Sequence, residues 1–221
     1  YEQTILAAPQ RRLHTDPIVH AYAITARRCG FHREYLAAFF NSMRADLTQR
    51  EYSPSELQDY IYGSAEAIGL LCLQIFLAEE DVSPADRAAM ERGARALGSA
   101  FQKINFLRDL GEDSSTLGRT YFQQAPSGRI DEATKSALIA EIRQELATAA
   151  LTIDVLPASA RVGVSAAADI FAELTNRLAA TPATALATTR VSVPNHTKAW
   201  LAARAVRRRG HSNQTPPLAG D

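Results

Sequence analysis

From Ala100 to Arg119 the chain runs AFQKINFLRDLGEDSSTLGR, and the fold follows from how its polar residues are spaced. Gln102, Asn105, Asp109 and Asp113 recur at intervals of three, four and four. At about 100° per residue they share one narrow stripe of a helix. Leu97, Phe101, Ile104 and Leu107 take the other directions, so the helix is apolar nearly all round except for that stripe. Such a helix is buried. Asp109 and Asp113, one turn apart and facing a buried cavity, repel each other unless a cation binds them. Mg²⁺ takes one or two protein carboxylates and fills its other positions with water and substrate phosphates. The pattern therefore asks for a divalent metal and a phosphorylated ligand. Acids four apart are also common on exposed helices. Gln102 and Asn105 on the same stripe, the adjacent Arg108 and the downstream Gly118-Arg119 set this pair apart.

The helical pattern extends in both directions from this stretch. Asp16-Pro17 reads as an N-cap with proline at the first helical position, opening a helix that ends near Cys29-Gly30. Arg33 to Gln49 carries Leu36, Phe39, Phe40, Met43 and Leu47 at helical spacing. Ser53-Pro54 starts a helix with Leu57, Ile61, Ile68, Leu71 and Ile75 on its apolar side, and Ser83-Pro84-Ala85-Asp86 starts the one that runs into the aspartates. Residues 114–129, rich in Ser, Gly and Pro, read as a long loop. Helices from about Asp131 to Val155 and from Pro157 to Ala180 follow, and Pro194 opens a last one. Arg207, Arg208 and Arg209 read as a solvated helix end favoured by the macrodipole. The expected class is all-α, with residues 1–209 a single helical domain and 210–221 a disordered tail.

Composition excludes several classes. Lys+Arg and Asp+Glu are 24 each, so no global field points to nucleic acid. Two cysteines, Cys29 and Cys72, support neither a disulfide framework nor a zinc site, and fit a reducing cytosol. No apolar run reaches the length of about 18 residues that a spanning helix needs. The five histidines form no HExxH, no hydrolytic triad can be assembled, and no glycine-rich dinucleotide turn is present.

Ala100, Gln102, Asn105, Arg108, Asp109, Glu112, Asp113, Gly118, Arg119 and Tyr121 together resemble the second aspartate-rich signature of the squalene/phytoene synthase family, the head-to-head prenyl transferases. Three further blocks occur in that family's order: Met43-Arg-Ala-Asp-Leu47, Tyr60-Ile-Tyr-Gly-Ser-Ala-Glu-Ala-Ile-Gly69, and Thr189-Arg-Val-Ser-Val193 followed by Lys198. The resemblance implies an isoprenoid-synthase-type helical bundle around a central apolar cavity. It implies the joining of two geranylgeranyl diphosphates to phytoene, with farnesyl diphosphate to squalene or dehydrosqualene as the alternative reaction. A non-catalytic relative that uses the same bundle for binding or assembly is the alternative from another class.

By the same resemblance Mg²⁺, or Mn²⁺ in its place, is held by Asp109, Asp113 and Asn105, and NADPH is not expected. Tyr62, rather than Tyr60 about 200° away, faces the reaction cavity, and Arg108 either reaches the diphosphate or steadies the carboxylates from the side. Gln102, Asn105, Arg119, Arg190 and Phe171 contact substrate. Asp46 would orient a cation from behind its direct ligands, and Glu66 either approaches the cavity or forms an ordinary salt bridge. The small residues Gly63, Ser64, Ala65, Ala67 and Gly69 leave room for a prenyl chain or permit close helix packing. The implied partner is a polyprenyl diphosphate, with peripheral contact at the inner face of the membrane for the lipophilic product. The sequence departs from the family at Glu66, at Phe171 where many members have Tyr, at Gln123, and in showing no first DxxxD block. The expectation is that these 221 residues alone do not catalyse condensation.

Overall fold

The computed structural model describes residues 1–112, Tyr121 and residues 130–212. Their regular structure is all helical, with no strand among the described residues. Short α1 (Glu2–Ala7) and a 3₁₀ turn lead into α2 (Pro17–Cys29) and α3 (Arg33–Thr48). Asp16 accepts hydrogen bonds from the backbone N–H groups of Ile18 and Val19, and Gly30 leaves α2 at φ 63. That left-handed stop suits glycine. Ser53 and Glu56 complete a capping box at the start of α4 (Pro54–Ile61), an arrangement that contributes about 1 kcal/mol.

The chain does not break after α4. It passes through one turn of π-helix, Tyr62–Glu66, into α5 (Ala67–Phe76). Then α6 (Pro84–Arg108), started by the Ser83 hydroxyl bonded to the Asp86 N–H, crosses the molecule. It packs along α7 (Glu132–Ile153), the most extensive helix pair among the described residues, and also against α5 and α8 (Ala158–Ala180). A short α9 (Ala183–Leu186) and an extended segment lead to α10 (Asn195–Ser212), which lies on α8. Helix α10 runs through residue 209 and is described as far as Ser212.

The main core gathers beside the end of α6. Ile104, Phe106, Leu107 and Leu110 meet Tyr52, Tyr60, Tyr121, Ile139, Ile142, Leu174 and Leu178 there. The Phe106 and Tyr121 rings stack with centroids 4.0 Å apart. The small residues on the π turn and α5 allow close packing. A Cβ on Gly63 would stand 2.2 Å from the Ala38 carbonyl oxygen, and one on Gly69 2.6 Å from that of Ala94. A polar seam runs along the α6–α7 contact. Lys103 Nζ lies 2.6 Å from both Glu141 and Glu145, and the Ser99 hydroxyl donates to Glu145 at 2.8 Å. Burial pushes the Glu145 carboxyl up, with Lys103 and Ser99 pulling against it.

Candidate active site

Two cavities line the same helix. The larger, about 540 Å³, is bounded by α5, α6, α7 and α8. From α6 it takes Met90, Gly93, Ala94, Leu97, Gly98 and Phe101, which share one helical face. Ile68, Phe76 and Leu156 are among the apolar residues opposite, and no charged side chain lines it. Gly98 is needed where it stands, since a Cβ would come within 2.6 Å of the Ala65 carbonyl oxygen.

The smaller cavity, about 300 Å³, lies at the C-terminal end of α6. It is lined by Arg108, Asp109, Gly111, Glu112 and residues 186–190. Asp109 caps α6 with φ −100, outside helical geometry, so the helix ends at Arg108 and resumes at Leu110. The expectation of one unbroken helix carrying both aspartates is corrected to that extent. Gly111 explains the break: a Cβ there would stand 2.2 Å from the Ala187 carbonyl oxygen. The backbone of residues 187–190 thus comes right up to the acidic turn.

This approach delivers Arg190. Its Nε lies 2.9 Å from Asp109 Oδ1, to which Arg108 Nε also donates at 2.9 Å, while Arg108 Nη2 reaches Oδ2. Burial alone would raise the Asp109 pKa. The hydrogen bonds and charge of Arg108, and then of Arg190, outweigh it and hold the carboxyl below its ordinary range. Asp109 is a fixed anion, 18% exposed, whereas the Arg190 side chain is 62% exposed and can exchange partners.

The other expected residues divide. Asn105 lies one turn before Asp109, and its backbone carbonyl accepts the Asp109 N–H at 2.9 Å. Its side-chain Oδ1 is buried with no hydrogen-bond partner among the described residues. Gln102 and Asn105 do not line the smaller cavity. Phe171 stacks on Phe101 at 3.8 Å between centroids, backing the larger cavity. Asp113 and Arg119, with the expected loop at 114–129 apart from Tyr121, lie outside the described residues.

Tyr62 stands apart from both of these cavities. It lines neither cavity and lies instead under the Arg95 guanidinium, 5.5 Å from ring centroid to Cζ. Arg95 in turn pairs with Glu66 at 2.7 Å, so Glu66 forms the salt bridge rather than approaching the cavity. The π turn and the tight seat of Gly63 on α3 hold this face in place. Tyr60 is the inward tyrosine. It is buried beside Phe106 and Tyr121 and donates to Asp46 at 2.9 Å. Burial first, and then the Asp46 carboxylate, push its phenol pKa up, so it stays a neutral donor. The partner this structure gives Asp46 is thus a tyrosine hydroxyl.

The family model described as squalene/phytoene synthase matches residues 1–197. The chain belongs to the squalene/phytoene synthase family. Among curated relatives it is 44% identical to phytoene synthase 3, chloroplastic, of Zea mays over 86 residues, which is 37% of this chain and 19% of that protein. It is 33% identical to 4,4'-diapophytoene synthase of Staphylococcus haemolyticus over 111 residues, 50% of this chain and 36% of that protein. These matches span between a fifth and somewhat over a third of the relatives' lengths. Among solved structures, a dehydrosqualene synthase in complex with ligand matches with a TM-score of 0.76 at 18% identity, over 95% of this chain and 77% of that one. A squalene synthase from Alicyclobacillus acidocaldarius matches at 0.56 and 18% identity, over 96% and 72%. These two likenesses show the fold, an isoprenoid-synthase helical bundle.

Proposed function

We propose that this chain serves the head-to-head condensation of two geranylgeranyl diphosphates to phytoene through prephytoene diphosphate. One observation carries the reading. The helix whose middle lines a long apolar cavity ends in a carboxylate and two guanidinia that converge within 2.9 Å. An amphiphile with a long apolar chain and an anionic head fits both halves.

The residues fit Mg²⁺ in kind. The donors at this end are oxygens: the Asp109 carboxylate, Glu112 in the same cavity, and the unpartnered Asn105 amide oxygen. No cluster of three acidic, His or Cys side chains occurs among the described residues, and the resemblance adds Asp113 to the proposed set. Asp109, Asn105 and Asp113 would hold the ion, which when bound neutralises the diphosphate as a leaving group. Arg190 turns from Asp109 to the diphosphate oxygens, a match for a guanidinium fork. Arg108 stays on Asp109 and keeps it ionised. The apolar walls and the Phe101–Phe171 pair exclude water from the allylic cation left when the carbon–oxygen bond breaks, and offer it aromatic faces. The second molecule's double bond then attacks that cation, and loss of a proton closes the cyclopropane of prephytoene diphosphate. Diphosphate leaves the first molecule, and the second keeps its own until the later ionisation to phytoene.

The test is incubation with labelled geranylgeranyl or farnesyl diphosphate and Mg²⁺, with and without NADPH, in a protein that carries this chain and a second acidic block upstream. Phytoene from the longer substrate, unchanged by NADPH, supports the reading. Squalene or dehydrosqualene from the shorter substrate would replace it with the alternative reaction. For the 221-residue chain alone no product is expected, because one acidic block holds only part of the charge that ionisation requires. Retention of Asp109, Asn105 and Arg190 at one end of the cavity argues against a purely non-catalytic relative.

A further inference from the structure

We propose that Glu132 and Lys135 are positioning residues for Arg190, because they fix the start of the segment that carries it to Asp109. The inference rests on the reading of the smaller cavity as the diphosphate site. Lys135 is the one charged side chain among the buried described residues, 4% exposed. Its Nζ donates to the Thr181 carbonyl at 2.6 Å and to that of Ala179 at 3.3 Å, and lies 2.8 Å from Glu132 Oε2. An ammonium has three N–H donors, and these three oxygens take all of them. An apolar side chain in this place would deprive the carbonyls at the end of α8 of that donor. The other carboxylate oxygen, Glu132 Oε1, accepts the Ala183 N–H at 2.6 Å. One ion pair in the first turn of α7 thus grips both the end of α8 and the first residue of α9. Lys135, and then the Ala183 N–H, hold the Glu132 carboxyl below its ordinary range, so it makes both contacts as an anion.

The grip is passed on with little slack. Ala183 and Leu186 are buried in the main core. The N–H groups of Thr188 and Thr189 both bond to the Ala185 carbonyl, at 3.1 and 2.9 Å, so the turn continues past α9. Residues 186–190 line the smaller cavity, and Ala187 abuts Gly111, which pins the segment at a second point. Arg190 stands seven positions after Ala183, and its exposed side chain spans the remaining gap to Asp109. Such a guanidinium is placed only as well as the backbone behind it is held. Glu132 and Lys135 do not line the cavity, so they act through that backbone and not on the ligand.

The Glu132 side chain is 60% exposed, so Glu132→Ala removes the grip without emptying the core, as Lys135→Met would. Hydrogen exchange of the Thr188 and Thr189 amides, read by NMR, reports the segment without any ligand. Calorimetry with inorganic diphosphate and Mg²⁺ reports the site, and an uncharged prenyl alcohol reports the larger cavity. In Glu132→Ala the two amides should exchange about tenfold faster and diphosphate should bind about tenfold more weakly, with prenyl alcohol binding unchanged. Glu132→Gln, with one acceptor oxygen instead of two, should fall between. Ser83→Ala removes the cap at the far end of α6 and should change neither, which separates positioning from a general loss of stability. Unchanged exchange overturns the proposal, and so does faster exchange with native diphosphate binding. Equal losses in Ser83→Ala, or loss of prenyl alcohol binding together with diphosphate, also overturn it by making the role merely structural. If the native protein binds no diphosphate, the reading of the site fails and the positioning role with it, whatever the exchange rates show.

Discussion

The middle of α6 and its C-terminal end belong to one helix but meet opposite surroundings. Between Met90 and Phe101 the helix faces a cavity of about 540 Å³ with no charged lining residue. Eight residues on, about 12 Å along the axis, it ends at Arg108 and Asp109 in a cavity of about 300 Å³ where Arg190 closes in. The first region can bury a long hydrocarbon but cannot hold an anion. The second presents guanidinia that suit an anion and, in Asp109, a carboxylate that suits a cation, but has no apolar wall for a long chain. What joins them is a rigid helix, so the distance between head and chain sites is set by backbone geometry rather than by side chains.

The predictions separate the two regions, largest effect first. Asp109→Asn keeps volume but removes the fixed charge. It should weaken Mg²⁺-dependent binding of an allylic diphosphate by about a hundredfold, read by calorimetry. With chelator present, native and variant proteins should bind alike. A variant that keeps its metal dependence would detach Asp109 from the metal.

Gly98→Leu acts on the other region. Its side chain starts 2.6 Å from the Ala65 carbonyl oxygen and projects beside the apolar cavity. Binding of an uncharged prenyl alcohol should fall about tenfold, while Mg²⁺-dependent binding of inorganic diphosphate stays as it was. Loss of both together would mean that the two regions are not independent sites.

Gly111→Ala tests how the polar end is assembled. The new methyl meets the Ala187 carbonyl at 2.2 Å and must push residues 187–190 away from Asp109. A loss of about 1–3 kcal/mol in urea unfolding is expected, with weaker inorganic diphosphate binding and intact prenyl alcohol binding. Unchanged diphosphate binding would show that Arg190 does not need this backbone contact.

The smallest effect is a dependence on pH. The Asp109 pKa is lowered on folding, so its contribution to stability is present above the ordinary value of 3.8 and lost as pH falls through the lower folded value. Native protein and Asp109→Asn should therefore differ in urea midpoint at neutral pH and converge in acid. Exposure of Arg190 keeps that difference small. A gap that widens in acid would contradict the sign.

Much of this was legible in the sequence. Caps at Asp16, Ser53 and Ser83 and the stop at Gly30 are local hydrogen-bonding chemistry, and the helices start and stop there to within a residue or so. The stripe through Asn105 and Asp109 and the block containing Arg190 were singled out separately, and the structure brings Asp109 and Arg190 to 2.9 Å of each other. The break at Asp109 was not legible, because it follows from a backbone contact with Ala187, 76 positions from Gly111. That Tyr60 and Tyr62 face opposite ways follows from their spacing; which of them turns inward does not. The π turn and the grip of Arg95, 33 residues past Tyr62, decided that. The Lys103–Glu141–Glu145 seam had only a weak signal, two acids four apart on the facing helix.

The most direct test is a crystal structure of this chain with Mg²⁺ and a non-ionisable thio-diphosphate analogue of the prenyl substrate. The account predicts the head group against Asp109 and Arg190, and the chain running past Phe101 along Gly98, Leu97 and Ile68 toward Met90. A chain lying outside the α5–α8 cavity, or a diphosphate bound away from Asp109 and Arg190, would contradict it.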